Sequence, residues 1–317
     1  MKPQSITSSL SELRTLFGDR LQENVSMANY TTARVGGIAQ AMLIAQTSQE
    51  LELAAQRLWE HGIPFYMIGS GSNVLVSDQG LPGVVIVNRT RNIKIDTHTE
   101  PMSVWAESGA NLGTVARQVA LRGLSGLEWA ATIPGSVGGA VYGNAGAFGG
   151  DMNGSLVLAE ILHQKLGRQT WTVEQMAYSY RSSALKRNPG QAIILAARMK
   201  LSPSTPQAVQ QRMDANSAQR RRTQPPGASL GSMFKNPAGD YAGRLIEAAG
   251  LKGARVGGVE ISPIHANFFV NNDQATASDL WQLIQMARTA VQQKFGITLE
   301  LEVELLGEWE ISNGSTN

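Results

Sequence analysis

The sequence predicts an α+β protein built from three lobes, and three observations carry that prediction. The chain has 317 residues, more than one hydrophobic core accommodates. Capped helix signals alternate with short apolar strand segments along its length. Pro225-Pro226-Gly227 breaks the pattern after a long helix and is the best boundary candidate. The expected lobes span residues 1–88, 89–222 and 223–317.

In chain order, a helix is expected from Leu10 to Phe17, then an extended arm from Val25 to Gly37 and a short strand at Ala41 to Ile44. Thr47 and Glu50 predict a capping box, and Leu51, Ala54, Ala55 and Leu58 recur at helical spacing until Gly62-Ile63-Pro64 stops the helix. Strands follow at Phe65 to Ile68, Val74 to Val76 and Val84 to Val87. A helix capped by Asn111 runs to Leu121, and strands near Ser155 to Ile161 and Ala192 to Leu201 close the second lobe. Thr205-Pro206 starts a helix that reaches Arg221. Beyond the break, helices are expected at Tyr241 to Ala249 and Asp279 to Phe295. Strands are expected at Gly257 to Ile261, Ala266 to Val270 and Thr298 to Leu306.

Composition removes whole classes of chemistry. Cysteine is absent, which excludes disulfides, thiolate catalysis and iron–sulfur sites. His61, His98, His163 and His265 show no metal-ligand spacing, so no metal is expected. A net charge of +2 is too small for a nucleic-acid partner, despite the local run Arg220, Arg221, Arg222. The polar start from Met1 does not read as a signal peptide, and no apolar run approaches the roughly 20 residues a membrane helix needs, so a cytoplasmic protein without membrane insertion is expected.

Two glycine clusters need a local reason. Gly69-Ser70-Gly71-Ser72-Asn73 joins two apolar strands and reads either as a tight turn or as a nest of backbone N–H groups for a pyrophosphate. It is not a Rossmann fingerprint, because Val74 stands where the third glycine belongs and a strand follows. Ile133-Pro134-Gly135-Ser136-Val137-Gly138-Gly139-Ala140 continues to Asn144-Ala145-Gly146-Ala147, small enough for a large flat ligand to lie against the backbone. The two clusters together suggest an elongated cofactor with a pyrophosphate centre. Arg181 is a candidate cation, Ser232 a candidate hydroxyl donor and Glu302 a candidate acid for redox chemistry at an unsaturated carboxylate. Taken singly, each also reads as an ordinary surface or turn residue. Alternation puts Glu300, Glu302 and Glu304 on one strand face.

Ordered landmarks spread along nearly the whole chain carry a resemblance. They are Thr31-Thr32-Ala33-Arg34-Val35-Gly36-Gly37, the Gly69 to Asp78 loop, Gly126-Leu127-Glu128, Ile133 to Gly139, Asn144 to Ala147 and Tyr180-Arg181-Ser182-Ser183. Gln224-Pro225-Pro226-Gly227, Gly231 to Pro237, Ala242 to Gly253 and His265-Ala266-Asn267-Phe268 complete the set. Together they resemble the UDP-N-acetylenolpyruvoylglucosamine reductases, in a shorter subtype without an extra substrate-covering loop. The resemblance implies a two-lobed FAD-binding domain of the vanillyl-alcohol-oxidase-like (PCMH-type) class plus a third, substrate-binding lobe. It implies non-covalent FAD, NADPH as reductant and a UDP-sugar as small-molecule substrate.

By the same resemblance, Arg181 and Glu302 stabilise a developing enolate and Ser232 donates the proton. Gly69, Ser70, Gly71, Ser72, Asn73, Pro134, Gly135, Ser136, Gly138, Gly139 and Asn144 are the expected cofactor contacts. Tyr180, Lys235 and Asn236 are the expected substrate contacts, and Arg220 to Arg222 either meet the substrate diphosphate or form an exposed helix end. Three positions depart from the family's usual pattern: Ala33 replaces an aromatic residue, Pro263 precedes the His265 motif, and Glu304 replaces a basic residue. Glu304 is expected either to raise the pKa of Glu302 or to require a new counter-charge.

Overall fold

The computed structural model describes residues 10–309. Residues 1–9, the polar start of the chain, lie outside the described residues. The first sheet combines β1 (Gln22–Ser26), β2 (Ile38–Ala45), β3 (Phe65–Ile68) and β5 (Leu81–Asn88) in the order β1-β2-β5-β3, while β4 (Val74–Val76) lies apart from it. β2 and β3 both run parallel to β5. Val84, Val85, Ile86 and Val87 are therefore buried on both faces, as the unbroken apolar run requires. The expected extended arm is instead broken by a 3₁₀ turn at Met27–Tyr30.

Helix α1 (Leu10–Phe17) has the expected bounds and buries Leu13 and Phe17. α2 (Ser48–Glu60) buries Leu51, Ala54, Ala55 and Leu58 against the first sheet. Thr47 accepts the Glu50 N–H at 3.2 Å as the capping box predicts. The reciprocal half shifts by one residue, since Glu50 takes the N–H of Gln46 at 2.7 Å.

The second sheet is antiparallel throughout. β6 (Ile93–Asp96), β7 (Ser103–Glu107), β8 (Leu156–His163), β9 (Gly167–Thr172) and β10 (Ala192–Lys200) line up as β9-β8-β10-β7-β6. α3 (Leu112–Leu121) carries the expected cap, with Asn111 Oδ1 accepting the Thr114 N–H at 2.9 Å. The glycine-rich segment is not all loop: α4 (Val137–Gly143) forms inside it, capped by Ser136 accepting the Gly139 N–H at 3.2 Å. α5 (Ala184–Arg187) and α6 (Pro206–Thr223) follow, the latter burying only Val209 and Met213.

The third lobe holds α7 (Ala242–Ala248), a small sheet of β11 (Arg255–Val256), β12 (Val259–Ile261) and β13 (Phe269–Asn271), and the long α8 (Ala277–Phe295). Its core draws in Ala33, Val35 and Leu75 from the first 88 residues. Asp78 accepts the Ala277 N–H at 2.9 Å and the Ser278 N–H at 2.8 Å, so a first-lobe carboxylate satisfies the free amides that start α8. The strand expected from Thr298 to Leu306 is regular only as β14 (Glu304–Leu306), which runs parallel to β4. Its earlier part pairs elsewhere: Leu301 bridges Phe234, and on either side of that bridge the Lys235 N–H donates to the Glu300 carbonyl and the Glu302 N–H to the Met233 carbonyl, each at 2.9 Å. One segment thus switches partner between Val303 and Glu304 and clips the third lobe to the first.

Candidate active site

A cavity of about 490 Å³ opens between the lobes, within the range of ligand pockets. One wall is the turn Gly69 to Asn73 between β3 and β4. The facing wall is Pro134, Gly135, Ser136, Gly138 and Gly139 at the start of α4. The two walls touch directly, because Ser72 Oγ donates to the Pro134 carbonyl at 3.1 Å. Among the described residues, no backbone hydrogen bond to protein uses the N–H groups of Ser70, Gly71 or Ser72. These amides remain available to an anion, which favours the phosphate cradle over the plain turn.

Glycine is required where the walls are tightest. A Cβ at Gly71 would lie 1.9 Å from the Tyr30 carbonyl oxygen, and its φ is +65°. A Cβ at Gly138 would lie 2.9 Å from Ser108 Cβ and 3.0 Å from its carbonyl, which explains a glycine inside a helix. Gly71→Ala is expected to cost at least about 2 kcal/mol and to empty the cavity of its ligand. Thermal melting and the absorbance of bound cofactor on the purified variant check this; a parent-like melt with full cofactor content would refute it.

Arg181, Ser232 and Glu302 come from three separate segments and all line the same cavity. Arg181 sits in the turn Ser179 to Ser182, closed by paired backbone bonds of 3.1 Å, and holds φ +55°. A side-chain-bearing residue in the left-handed region is uncommon and strained, a feature concentrated at working sites. Its Nε lies 2.7 Å from Glu302 Oε1, but the N–H is not aligned on the carboxylate, so the contact is a close ion pair and not a formed hydrogen bond. Burial pushes the Glu302 carboxyl above its ordinary range, and Arg181, Lys186 and Lys235 only partly offset that.

Ser232 bridges Phe268 at the backbone. The loop is fixed by buried Asn267: its carbonyl accepts the Met233 N–H at 2.8 Å, and its side chain exchanges bonds of 2.9 and 2.8 Å with Phe234. Thr32 ties the front of the loop to the glycine turn, donating its hydroxyl to Ser229 O at 2.6 Å and its N–H to Gly71 O at 3.0 Å. The early Thr31 to Gly37 motif therefore serves to register lobes against each other. Ala33 is fully buried in the third core, and Asn271 donates to its carbonyl at 2.8 Å.

Not every predicted contact reaches the cavity. Asn73 lines it but spends its side chain on the Glu302 carbonyl at 3.1 Å, so it holds the acid's strand. Asn144 lies outside the lining, buried beneath the Arg181 turn, where its amide donates to Ser179 O at 3.0 Å. Tyr180, Lys235 and Asn236 also lie outside the lining and cluster on one rim. The Asn236 N–H points to Tyr180 Oη at 3.5 Å, while Lys235 pairs with Glu300 at 3.2 Å.

Of the expected glutamate face, Glu302 and Glu304 line the cavity, while the Glu300 side chain is 73% exposed. The solvated-surface reading therefore holds only for Glu300. Glu304 does have a counter-charge, Lys186. Lys186, Tyr142 and Gln224 also line the cavity and were not legible as lining residues, whereas Arg220 belongs to the basic run expected either to meet the substrate diphosphate or to end a helix in solvent. Arg220 reaches the cavity half-buried, with burial lowering its pKa, so the basic run is not simply an exposed helix end. Among the described residues no cluster of His, Asp and Glu suits a metal ion, and no helix is long and apolar enough to cross a membrane.

The comparisons with known proteins agree with this geometry. A family model described as "FAD binding domain" matches residues 39–162, and one described as "UDP-N-acetylenolpyruvoylglucosamine reductase, C-terminal domain" matches residues 223–306. The UDP-N-acetylenolpyruvoylglucosamine reductase of Chloroflexus aggregans is 44% identical over 290 residues, covering 90% of this chain and 97% of that one. The Synechocystis protein of the same name is 40% identical over 295 residues, covering 92% of each. A crystal structure of the reductase from Thermus caldophilus superposes with a TM-score of 0.78 at 36% identity, covering 91% of this chain and 99% of that one. The α+β FAD-binding fold expected from the resemblance is thereby shown, and the chain belongs to the UDP-N-acetylenolpyruvoylglucosamine reductase family.

Proposed function

We propose that this protein reduces UDP-N-acetylglucosamine enolpyruvate to UDP-N-acetylmuramate with NADPH, for peptidoglycan precursor synthesis, and that Arg181, Ser232 and Glu302 carry the chemistry. The single observation behind the roles is their convergence, from three distant segments, on one cavity already walled by two glycine clusters. We further propose that residues 1–88 and 89–222 cradle the cofactor and residues 223–317 the substrate, and that the reaction takes place in the cytoplasm on a small molecule without nucleic acid.

The residues present fit FAD. The turn at Gly69 to Asn73 offers unused amides for a pyrophosphate, and the facing Pro134 to Gly139 wall has no side chain larger than proline or valine. FAD held there would supply the redox chemistry, a two-electron hydride relay from NADPH to the terminal carbon of the enolpyruvyl double bond. The electron pair displaced from that double bond spreads onto the substrate carboxylate. Arg181 supplies the fixed cation for that charge. Ser232 delivers the proton to the adjacent carbon, which completes the two-electron reduction. Glu302, whose neutral form burial favours, donates in that form a hydrogen bond to the same carboxylate and would repel it if ionised.

That last role fixes the sign of a pH effect. A raised carboxyl pKa keeps the neutral form above the ordinary carboxylate range, and the form is lost as pH rises through the shifted value. Turnover should therefore fall on the alkaline side with an apparent pKa above 4.5, the ordinary value. Steady-state rates against pH, parent beside Glu302→Gln, check this, since the variant should lack the limb.

The function itself is tested on the purified protein by its visible spectrum. NADPH added without oxygen should bleach the flavin, and UDP-N-acetylglucosamine enolpyruvate should restore it. A protein that FAD cannot reconstitute would remove the assignment. Recovery with oxygen alone would point to a flavin oxidase acting on hydroxyl-bearing molecules.

A further inference from the structure

A second ion pair occupies the cavity beside Arg181 and Glu302. Lys186 Nζ lies 2.5 Å from Glu304 Oε1, and the Lys186 side chain is only 17% exposed. Both residues line the cavity. The pair is fixed from both ends. Fully buried Ser183 accepts the Lys186 N–H at 3.1 Å and donates its hydroxyl to the Tyr142 carbonyl at 2.7 Å. Asn73 accepts the Glu304 N–H at 2.9 Å while its amide holds the Glu302 carbonyl at 3.1 Å.

The charges around Glu302 follow a pattern. Arg181 from the Ser179 to Ser182 turn, Lys186 from α5 and Lys235 from the Gly231 to Pro237 loop all favour its ionised form. Lys235 is matched by Glu300 and Lys186 by Glu304, so of these three, among the described residues, Arg181 alone faces Glu302 without another carboxylate. Tyr142 on α4 senses Glu304 too, its hydroxyl pushed up to about 12 by burial and then by that carboxylate. A largely shielded ammonium stripped of its counter-ion would act strongly on a carboxyl in the same cavity.

We propose that Lys186 and Glu304 are positioning residues for the reduction: Glu304 holds the Lys186 ammonium off Glu302, and the pair thereby sets the charge Glu302 carries when substrate arrives. This rests on the reading of Glu302 as a neutral hydrogen-bond donor.

The test is the pH profile of flavin reoxidation by the enolpyruvyl substrate, after anaerobic reduction with NADPH, in the FAD-loaded protein. Glu304→Gln leaves Lys186 uncompensated and should move the alkaline limb down by about one pH unit. Lys186→Gln leaves Glu304 uncompensated and should move it up by a similar amount. The double variant should return to the parent limb within about 0.3 unit, because the two changes cancel. Lys186→Arg, which keeps the charge if packing suffers, should hold the parent limb. If Glu302→Gln abolishes the limb while both single variants leave it in place, the pair is merely structural and the proposal is overturned. If Glu302→Gln leaves the limb, the reading of Glu302 itself fails.

Discussion

Ser232→Ala is expected to leave the bleaching of bound flavin by NADPH intact and to lower overall turnover by about 10²–10⁴-fold, the usual worth of a positioned proton donor. The reason is geometric. The Ser232 loop is held by backbone and Asn267 bonds that do not use the hydroxyl, so alanine keeps the loop while removing the proton. Stopped-flow spectroscopy separates the two half-reactions. Reduction by NADPH should keep the parent rate, and reoxidation by the enolpyruvyl substrate should slow by the full factor. Reoxidation at the parent rate would take Ser232 out of the mechanism, and equal slowing of both halves would make its role structural.

The second large effect is expected at Arg181. Among the described residues, three cations act on Glu302, and of these Lys186 and Lys235 pair with other carboxylates while the Arg181 guanidinium pairs with Glu302 itself. It is held by a strained turn braced from below by Asn144. Arg181→Met should slow reoxidation by about 10²–10³-fold, the size of losing one preorganised partner to developing charge. Arg181→Lys should recover only part of that, because an ammonium cannot span a carboxylate as a guanidinium does. Single-turnover reoxidation rates check both variants. A Met variant within about threefold of the parent would mean that Arg181 only structures the turn.

Periodicity and capping exposed much of the fold in the sequence. α1, β3 and β4 have the bounds read from the residues, and α2, α3 and α8 begin or end within two residues of expectation. What escaped has physical reasons. β6 alternates Ile93-Lys94-Ile95-Asp96 over only four residues, too short to stand out, and edge strand β9 is mostly polar because one face meets water. α4 hides because Gly138, Gly139 and Gly143 are poor helix formers, and of the three only Gly138 is required by close approach to Ser108. The final strand reads as one element, yet its partners change at Val303, which no local pattern records.

The candidate site was legible in kind more than in detail. Glycine clusters pointed to a cofactor wall, but sequence alone left Gly69 to Asn73 balanced between turn and cradle until the facing wall appeared. Arg181, Ser232 and Glu302 lie tens of residues apart and singly look ordinary; the family resemblance brought them together, and the fold places them in one cavity. Lys186 had no signal of its own, since only the α5 cap and the β4 pairing of β14 carry it to Glu304.

The pairing of β14 with β4 also orders events in time. Every other wall of the cavity precedes Glu302, Glu304 and Leu306 in the chain. A ribosome releases the chain from its amino end, so residues 1–222 emerge with the cavity still open along the edge that β14 later covers. Lasting capture of the cofactor then belongs to the completed polypeptide, and a nascent chain stopped before residue 300 would present β4 as a bare edge.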